Sequence, residues 1–161
     1  MVGVDISEDS VKIAKQNATE ALTDIDIRIQ EDPGHIFQNA IHEGEYFDFT
    51  MCNPPFYGSA QEAEKANLQK NKNLHLSESK TRNFGGHSNE LWCNGGEALF
   101  IKRMIKQSVS FKDQVGVFTT LVSKSENLPK LIKQLTKLKA SHSIIDMQQG
   151  NKKSRILTWS F

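Results

Sequence analysis

At 161 residues, with 37% hydrophobic and 24% charged residues, the chain is long enough for one globular domain and too apolar to stay disordered. No apolar run reaches the ~20 residues of a membrane-spanning helix, and the N-terminus lacks the basic and apolar regions of a signal peptide, so the expectation is a soluble, cytoplasmic protein with no membrane partner. The formal charge of +1 hides an asymmetry: residues 1–98 carry 8 Lys and Arg against 16 Asp and Glu, and residues 99–161 carry 12 against 3.

Met1-Val2-Gly3-Val4-Asp5-Ile6 reads as a short buried strand ending in an acid. Ser7 then caps a helix with Glu8 and Asp9 in its first turn, and Val11, Ala14, Ala18 and Leu22 recur at helical spacing. Ile25, Ile27 and Ile29 alternate with Asp26, Arg28 and Gln30 as a second strand. Glu31-Asp32-Pro33-Gly34 follows as a turn, and residues Ile36 to Ile41 suggest a short amphipathic segment. Gly44 punctuates before an apolar run, Tyr46 to Cys52, with Cys52 expected to be buried. The order β-α-β-α-β is that of a parallel sheet with helices on its faces. In such α/β sheets ligands lie beyond the carboxyl ends of the strands, where Asp5, Glu31, Asp32 and Asn53 all fall. An acid ending the strand before a helix is suited to accept hydrogen bonds from both ribose hydroxyls.

The third strand runs into Asn53-Pro54-Pro55-Phe56. Two prolines fix φ and carry no N–H, so the backbone there presents rigid acceptors and no donors. The residue before Pro54 is pushed out of the helical region, which ends the strand and turns Asn53 outward. An Asn side-chain oxygen beside a Pro54 carbonyl makes a pair of acceptors matched to an NH₂ on a planar ring, and Phe56 offers a face for stacking, worth about 1–3 kcal/mol per base. Such a nitrogen is a poor nucleophile because its lone pair is delocalised. Two hydrogen bonds to its protons favour pyramidalisation and aim the lone pair, which is catalysis by orientation and electrostatics. The competing reading is a plain turn with Phe56 in the core.

Residues 57–96 form a long polar segment without sustained periodicity, expected to be a substrate-side loop or lid. Basic residues including Lys80 and Arg82, interleaved with Phe84 and Trp92, suit a single-stranded nucleic-acid backbone. Glu97 to Val109 reads as a helix with Leu99, Phe100, Met104, Ile105 and Ser108 on one side, and Val115 to Val122 as a strand. Asn127 and Pro129 open a helix whose Leu128, Leu131, Ile132, Leu135 and Leu138 make an apolar stripe. Ser143 to Gln148 and Ile156 to Phe161 read as a closing hairpin, with Trp159 as packing. The two cysteines, Cys52 and Cys93, and the histidines have no metal-ligand spacing, so no metal is expected.

An α/β order with a terminal hairpin resembles the class I methyltransferase fold, and Asn53-Pro54-Pro55-Phe56 is similar to its amino-methylating motif. More narrowly, Met51 to Phe56, Asn83-Phe84-Gly85-Gly86, Glu90-Leu91-Trp92-Cys93-Asn94-Gly95-Gly96-Glu97, Leu121-Val122-Ser123, Glu126-Asn127-Leu128-Pro129 and Thr158-Trp159-Ser160-Phe161 resemble the bacterial RlmF family. A eukaryotic U6 small nuclear RNA methyltransferase shares the Asn-Pro-Pro-Phe core. The resemblance implies transfer of a methyl group from S-adenosylmethionine to adenine N6 in 23S RNA of the large ribosomal subunit. It implies Asp5 on the cofactor ribose and Asn53 to Phe56 as the catalytic turn on the target adenine; by their strand-end positions Glu31, Asp32 and Asn53 are expected on the cofactor as well, and by the basic and aromatic pattern Lys80, Arg82 and Trp92, with Phe56, on the RNA. Members of that family carry an RNA-binding extension, a first strand and a glycine-rich loop ahead of the position matching Met1. The resemblance therefore implies one incomplete methyltransferase domain over residues 1–161, expected by itself to bind the cofactor weakly or not at all and to be inactive. A non-catalytic truncated remnant or an RNA-binding module is the alternative, and DNA adenine or protein glutamine methylation the other use of an Asn-Pro-Pro-aromatic motif.

Overall fold

A computed structural model describes residues 1–62, 65, 93–150 and 152–161. The chain divides into two compact units, Met1–Tyr46 and Phe47–Phe161.

In the first unit, β1 (Val2–Asp5) and β2 (Asp26–Ile29) pair in parallel through α1 (Glu8–Glu20), with Asp5 opposite Ile29. Ser7 caps α1 as its sequence predicts: its hydroxyl accepts from Ser10 N at 3.2 Å, and Glu8 and Asp9 lie at the positive end of the helix dipole. Val11 is buried, but Leu22 lies past the helix end at φ 52 and is almost fully exposed, so the predicted stripe stops at Ala18. The polar face of β2 is covered as well. Arg28 donates to Asp26, to the Ala40 carbonyl and through both terminal nitrogens to Glu45, and Gln30 donates to the Gln38 carbonyl at 2.7 Å.

The predicted amphipathic segment from Ile36 to Ile41 is a run of turns and not a helix. Asn39 takes φ 64, a left-handed value that interrupts helical hydrogen bonding, while Phe37 and Ala40 are buried without it. A fork-shaped guanidinium bound at two carboxylate oxygens holds this segment against β2. The Arg28 hydrogen bonds, followed by the backbone N–H of His42, lower the Glu45 pKa to about 2.

The second unit is a four-stranded sheet in the order β3-β4-β6-β5, formed by β3 (Phe47–Phe49), β4 (Val115–Val122), β5 (Ser141–Gln149) and β6 (Lys152–Ser160). β3 is parallel to β4, whereas β6 is antiparallel to both β4 and β5. The predicted terminal hairpin is present; β5 is longer than expected at both ends, β6 starts four residues earlier than expected and ends at Ser160, and Gly150 sits at φ 58 in the turn. Helices α2 (Gly96–Ser108) and α3 (Leu128–Lys137) contribute Ile101, Met104, Ile105, Leu131 and Leu135 to a core shared with Phe118, Val122, Leu157 and Trp159. Met104, Ile105 and Ser108 are buried on the predicted face of α2, but Ile101 is buried too and Leu99 is 45% exposed. Trp159 stacks on Phe118 with ring centroids 5.6 Å apart and donates its indole N–H to Ser108 Oγ at 2.9 Å. Among the described residues no helix is long and apolar enough to cross a membrane, and no cluster of His, Cys, Asp or Glu could hold a metal ion.

Candidate active site

The strand leading to Asn53 is shorter than its apolar run suggests. Only Phe47 to Phe49 form a ladder, opposite Val115 and Val117. Beyond it the chain stays fastened to β4 by single bonds: Thr50 N donates to the Val117 carbonyl at 2.9 Å, Thr119 Oγ1 to the Thr50 carbonyl at 2.6 Å, and Leu121 N to the Cys52 carbonyl at 2.9 Å. Cys52 is half-buried as a residue, not buried as expected, yet burial of its thiol pushes that group up to about 11. It is therefore inert as a nucleophile near neutral pH.

Asn53, one residue on, is exposed, while Pro54 is buried and Pro55 and Phe56 are half-buried. The buried proline anchors the turn and the preceding residue is left facing solvent. Among the described residues, nothing hydrogen-bonds the Asn53 side chain or the Pro54 carbonyl. With no partner among the described residues, the amide oxygen and the neighbouring carbonyl make an acceptor pair.

The far side of the turn is held by different elements. The Tyr57 carbonyl accepts from Cys93 N at 3.0 Å, and Cys93 in turn accepts at its carbonyl from Gly96 N at 2.8 Å. Gly58 N donates to Glu62 Oε2 at 2.9 Å and Glu62 N to Ser59 Oγ at 3.2 Å, so the chain leaves the turn through a capped helical start. Gly96, at φ 61, lies so close that an added Cβ would sit 3.3 Å from Gly58 N and 3.4 Å from the Tyr57 carbonyl carbon. That approach requires glycine.

Sequence reasoning treats Glu97 only as the start of a helix. In the structure it is 2% exposed, and its carboxylate takes four hydrogen bonds from residues Ser123 to Asn127. The motifs that carry the family resemblance contain all three residues, Glu97 in one and Ser123 and Asn127 in two others. Nothing in a linear pattern joins them.

In the first unit, parallel pairing brings Asp5 and the segment after Ile29 to the same end of the sheet: Gln30 N donates to the Asp5 carbonyl at 2.8 Å. One carboxylate oxygen of Asp5 accepts from Ser7 N at 2.8 Å, and the other has no partner among the described residues. Glu31 is exposed and lines an open hollow with Glu8, Val11, Lys12, Lys15 and Ile29. Asp32 is exposed too, but it serves its own loop: Oδ1 accepts from Gly34 N at 2.7 Å and Oδ2 lies 3.3 Å from His35 Nδ1. Lys80, Arg82 and Trp92 lie outside the described residues.

A parallel βαβ unit with an acid at a strand end, and a mixed sheet ending in an antiparallel hairpin beside an Asn-Pro-Pro-Phe turn, define a class I methyltransferase fold. The chain belongs to the RNA methyltransferase family, which it matches over residues 1–161. It is 60% identical over 164 residues to the ribosomal RNA large subunit methyltransferase F of Christiangramia forsetii, covering 100% of this chain and 58% of that protein. It is 44% identical over 171 residues to the protein of that name from Saccharophagus degradans, covering 99% and 53%. Among solved structures it is similar to the catalytic domain of hMettl16 in complex with MAT2A 3′UTR hairpin 1, with a TM-score of 0.80, 25% identity, and coverage of 99% of this chain and 55% of that one. The N-terminal domain of human METTL16 in complex with SAH shares the fold at a TM-score of 0.71 and 21% identity, with coverage of 99% and 51%. The chain thus spans about half the length of the relatives it matches.

Proposed function

We propose that these residues form the catalytic portion of an S-adenosylmethionine-dependent RNA methyltransferase that modifies adenine N6 in large-subunit ribosomal RNA in the cytoplasm. The observation that carries this reading is the acceptor pair of Asn53 and Pro54, without a hydrogen-bond partner among the described residues and fastened on both sides, in a chain of the RNA methyltransferase family. The Asn53 amide oxygen and the Pro54 carbonyl accept the two N6 protons of adenine, and Phe56 supplies a stacking face. Localising the nitrogen lone pair this way needs no strong base, and the inert Cys52 thiol supplies none. S-adenosylmethionine, when bound, supplies the electrophilic methyl group. Asp5 fits its ribose, since one oxygen is fixed by Ser7 N and the other is open to hydroxyl donors, with Ile6 exposed beside it. Glu31 is the better placed of the two acids in the next loop, because Asp32 is engaged in its own turn. Lys80, Arg82 and Trp92 supply backbone and base contacts to the RNA.

The test is Asn53→Ala in a polypeptide of the relatives' full length, assayed for radiolabelled methyl transfer to unmodified large-subunit RNA, with DNA and a glutamine-containing peptide as parallel substrates. Loss of transfer by more than about 100-fold with an unchanged melting temperature is expected, as for removal of a group that orients the reacting atom. Retained activity would remove Asn53 from the mechanism. Transfer to DNA or glutamine in place of RNA would replace the substrate, and wild-type RNA binding without transfer would favour a binding module.

A further inference from the structure

One buried ionisable side chain takes no part in the reaction proposed above. Glu97 stands in the first turn of α2, 2% exposed, with no cation among its partners in the described residues. Oε1 accepts from Ser123 N at 2.6 Å and from the Ser123 hydroxyl, and Oε2 accepts from Asn127 Nδ2 at 2.6 Å and Lys124 N at 3.2 Å. Removing a carboxylate from water costs several kcal/mol, and here only dipoles offset it. An amide or an apolar side chain could occupy the same volume without that cost. What they could not do is accept four donors at once, from a helix start on one side and a strand exit on the other.

Those two pieces are the walls of the Asn53–Phe56 turn. β4, whose exit is Ser123, holds the entry to the turn through Leu121 N on the Cys52 carbonyl and Thr119 Oγ1 on the Thr50 carbonyl. The start of α2 holds its departure through Cys93 N on the Tyr57 carbonyl and the close approach of Gly96 to Gly58. Neither wall touches the turn through Glu97, yet Glu97 fixes the wall-to-wall spacing.

We propose that Glu97 is a positioning residue for the methyl-acceptor turn, locking the exit of β4 to the start of α2 so that the Asn53 and Pro54 acceptors keep their spacing. The proposal rests on the function proposed above. Its reasoning is geometric: displacing a reacting group by about 1 Å can cost ~100-fold in rate. Glu97→Gln keeps the size but sets an NH₂ against two of the four donors. Adding Asn127→Asp turns one of those clashes back into a donor facing an acceptor.

The experiment uses the full-length polypeptide with large-subunit RNA and S-adenosylmethionine. For E97Q the expected result is a kcat about tenfold or more below wild type, with cofactor affinity by calorimetry unchanged. Partial recovery is expected in E97Q/N127D, because the two side chains act as a coupled pair. Amide hydrogen exchange at Cys93, Ser123 and Lys124 should quicken in E97Q and slow again in the double variant, while exchange in β5 and β6 stays as in wild type. Should E97Q fail to fold, Ser123→Ala removes one donor only and is expected to lower kcat by a smaller factor at full folding. A kcat within twofold of wild type for folded E97Q, or for folded S123A if E97Q does not fold, overturns the proposal, as does unchanged exchange at Cys93. Exchange quickened throughout the protein, with kcat per folded molecule preserved, reduces Glu97 to a structural role and overturns it too. If the wild type transfers no methyl group, the functional reading fails separately, and exchange at Cys93 still decides whether Glu97 sets the turn.

Discussion

Trp159 and Ser108 form a buried pair whose contribution can be worked out before it is measured. The indole is 1% exposed and Ser108 fully buried, and the indole N–H donates to Ser108 Oγ at 2.9 Å. The same hydroxyl donates to the Ile105 carbonyl at 2.8 Å, so it serves as donor and acceptor at once. Ser108→Ala removes a small volume but leaves a buried N–H with no partner, which costs about 1–3 kcal/mol. For a chain of this length that corresponds to a fall in Tm of roughly 3–10 °C. Trp159→Phe loses ring area against Phe118 but leaves Ser108 bonded to Ile105, so in that background S108A should cost little more than its lost volume. The assay is urea unfolding followed by far-ultraviolet circular dichroism for the two single variants, the double variant and wild type. A coupling of about 1 kcal/mol is expected between the two positions. If S108A costs the same in both backgrounds, or less than about 0.5 kcal/mol in wild type, the hydrogen bond is not what holds β6 on α2.

Gly96→Ala is expected to destabilise by about 1–2 kcal/mol from its left-handed backbone, and to lower methyl transfer further by pushing Gly58 away. A melting curve and a transfer assay on the same sample check both effects, and unchanged activity would show that the Gly58 contact does not shape the turn. The Arg28–Glu45 pair predicts a pH dependence with a definite sign. Because the folded Glu45 pKa is lowered to about 2 from 4.5, the stability it contributes is fully present above pH 4.5 and is lost as pH falls towards about 2. The stability gap between wild type and Glu45→Gln should therefore shrink as unfolding is repeated from pH 6 down to about pH 3, and a constant gap would exclude the pair as its source.

Much of this fold is written in local patterns. Ser7 caps α1, Pro129 opens α3, and the runs Val115 to Val122, Ser143 to Gln148 and Ile156 to Phe161 give β4 and the hairpin of β5 and β6, because each of these is decided within a few residues. The errors fall where a distant group decides. Asn39 and the Arg28 network turn the expected helix after Gly34 into a plug of turns, and Ile101 replaces Leu99 in the core because the orientation of α2 is set by what packs on it. The site divides in the same way. Asn53-Pro54-Pro55-Phe56 is legible because prolines impose their geometry alone, whereas Glu97 looks like any acid in a first helical turn until Ser123 and Asn127 fold back onto it.

The bond from Cys93 N to the Tyr57 carbonyl fastens the two ends of the intervening segment to each other at 3.0 Å. Both partners are backbone atoms, so the fastening does not depend on which side chains stand at Tyr57 and Cys93. Cys93→Ser should leave it in place, and amide exchange at position 93 would measure that independence directly.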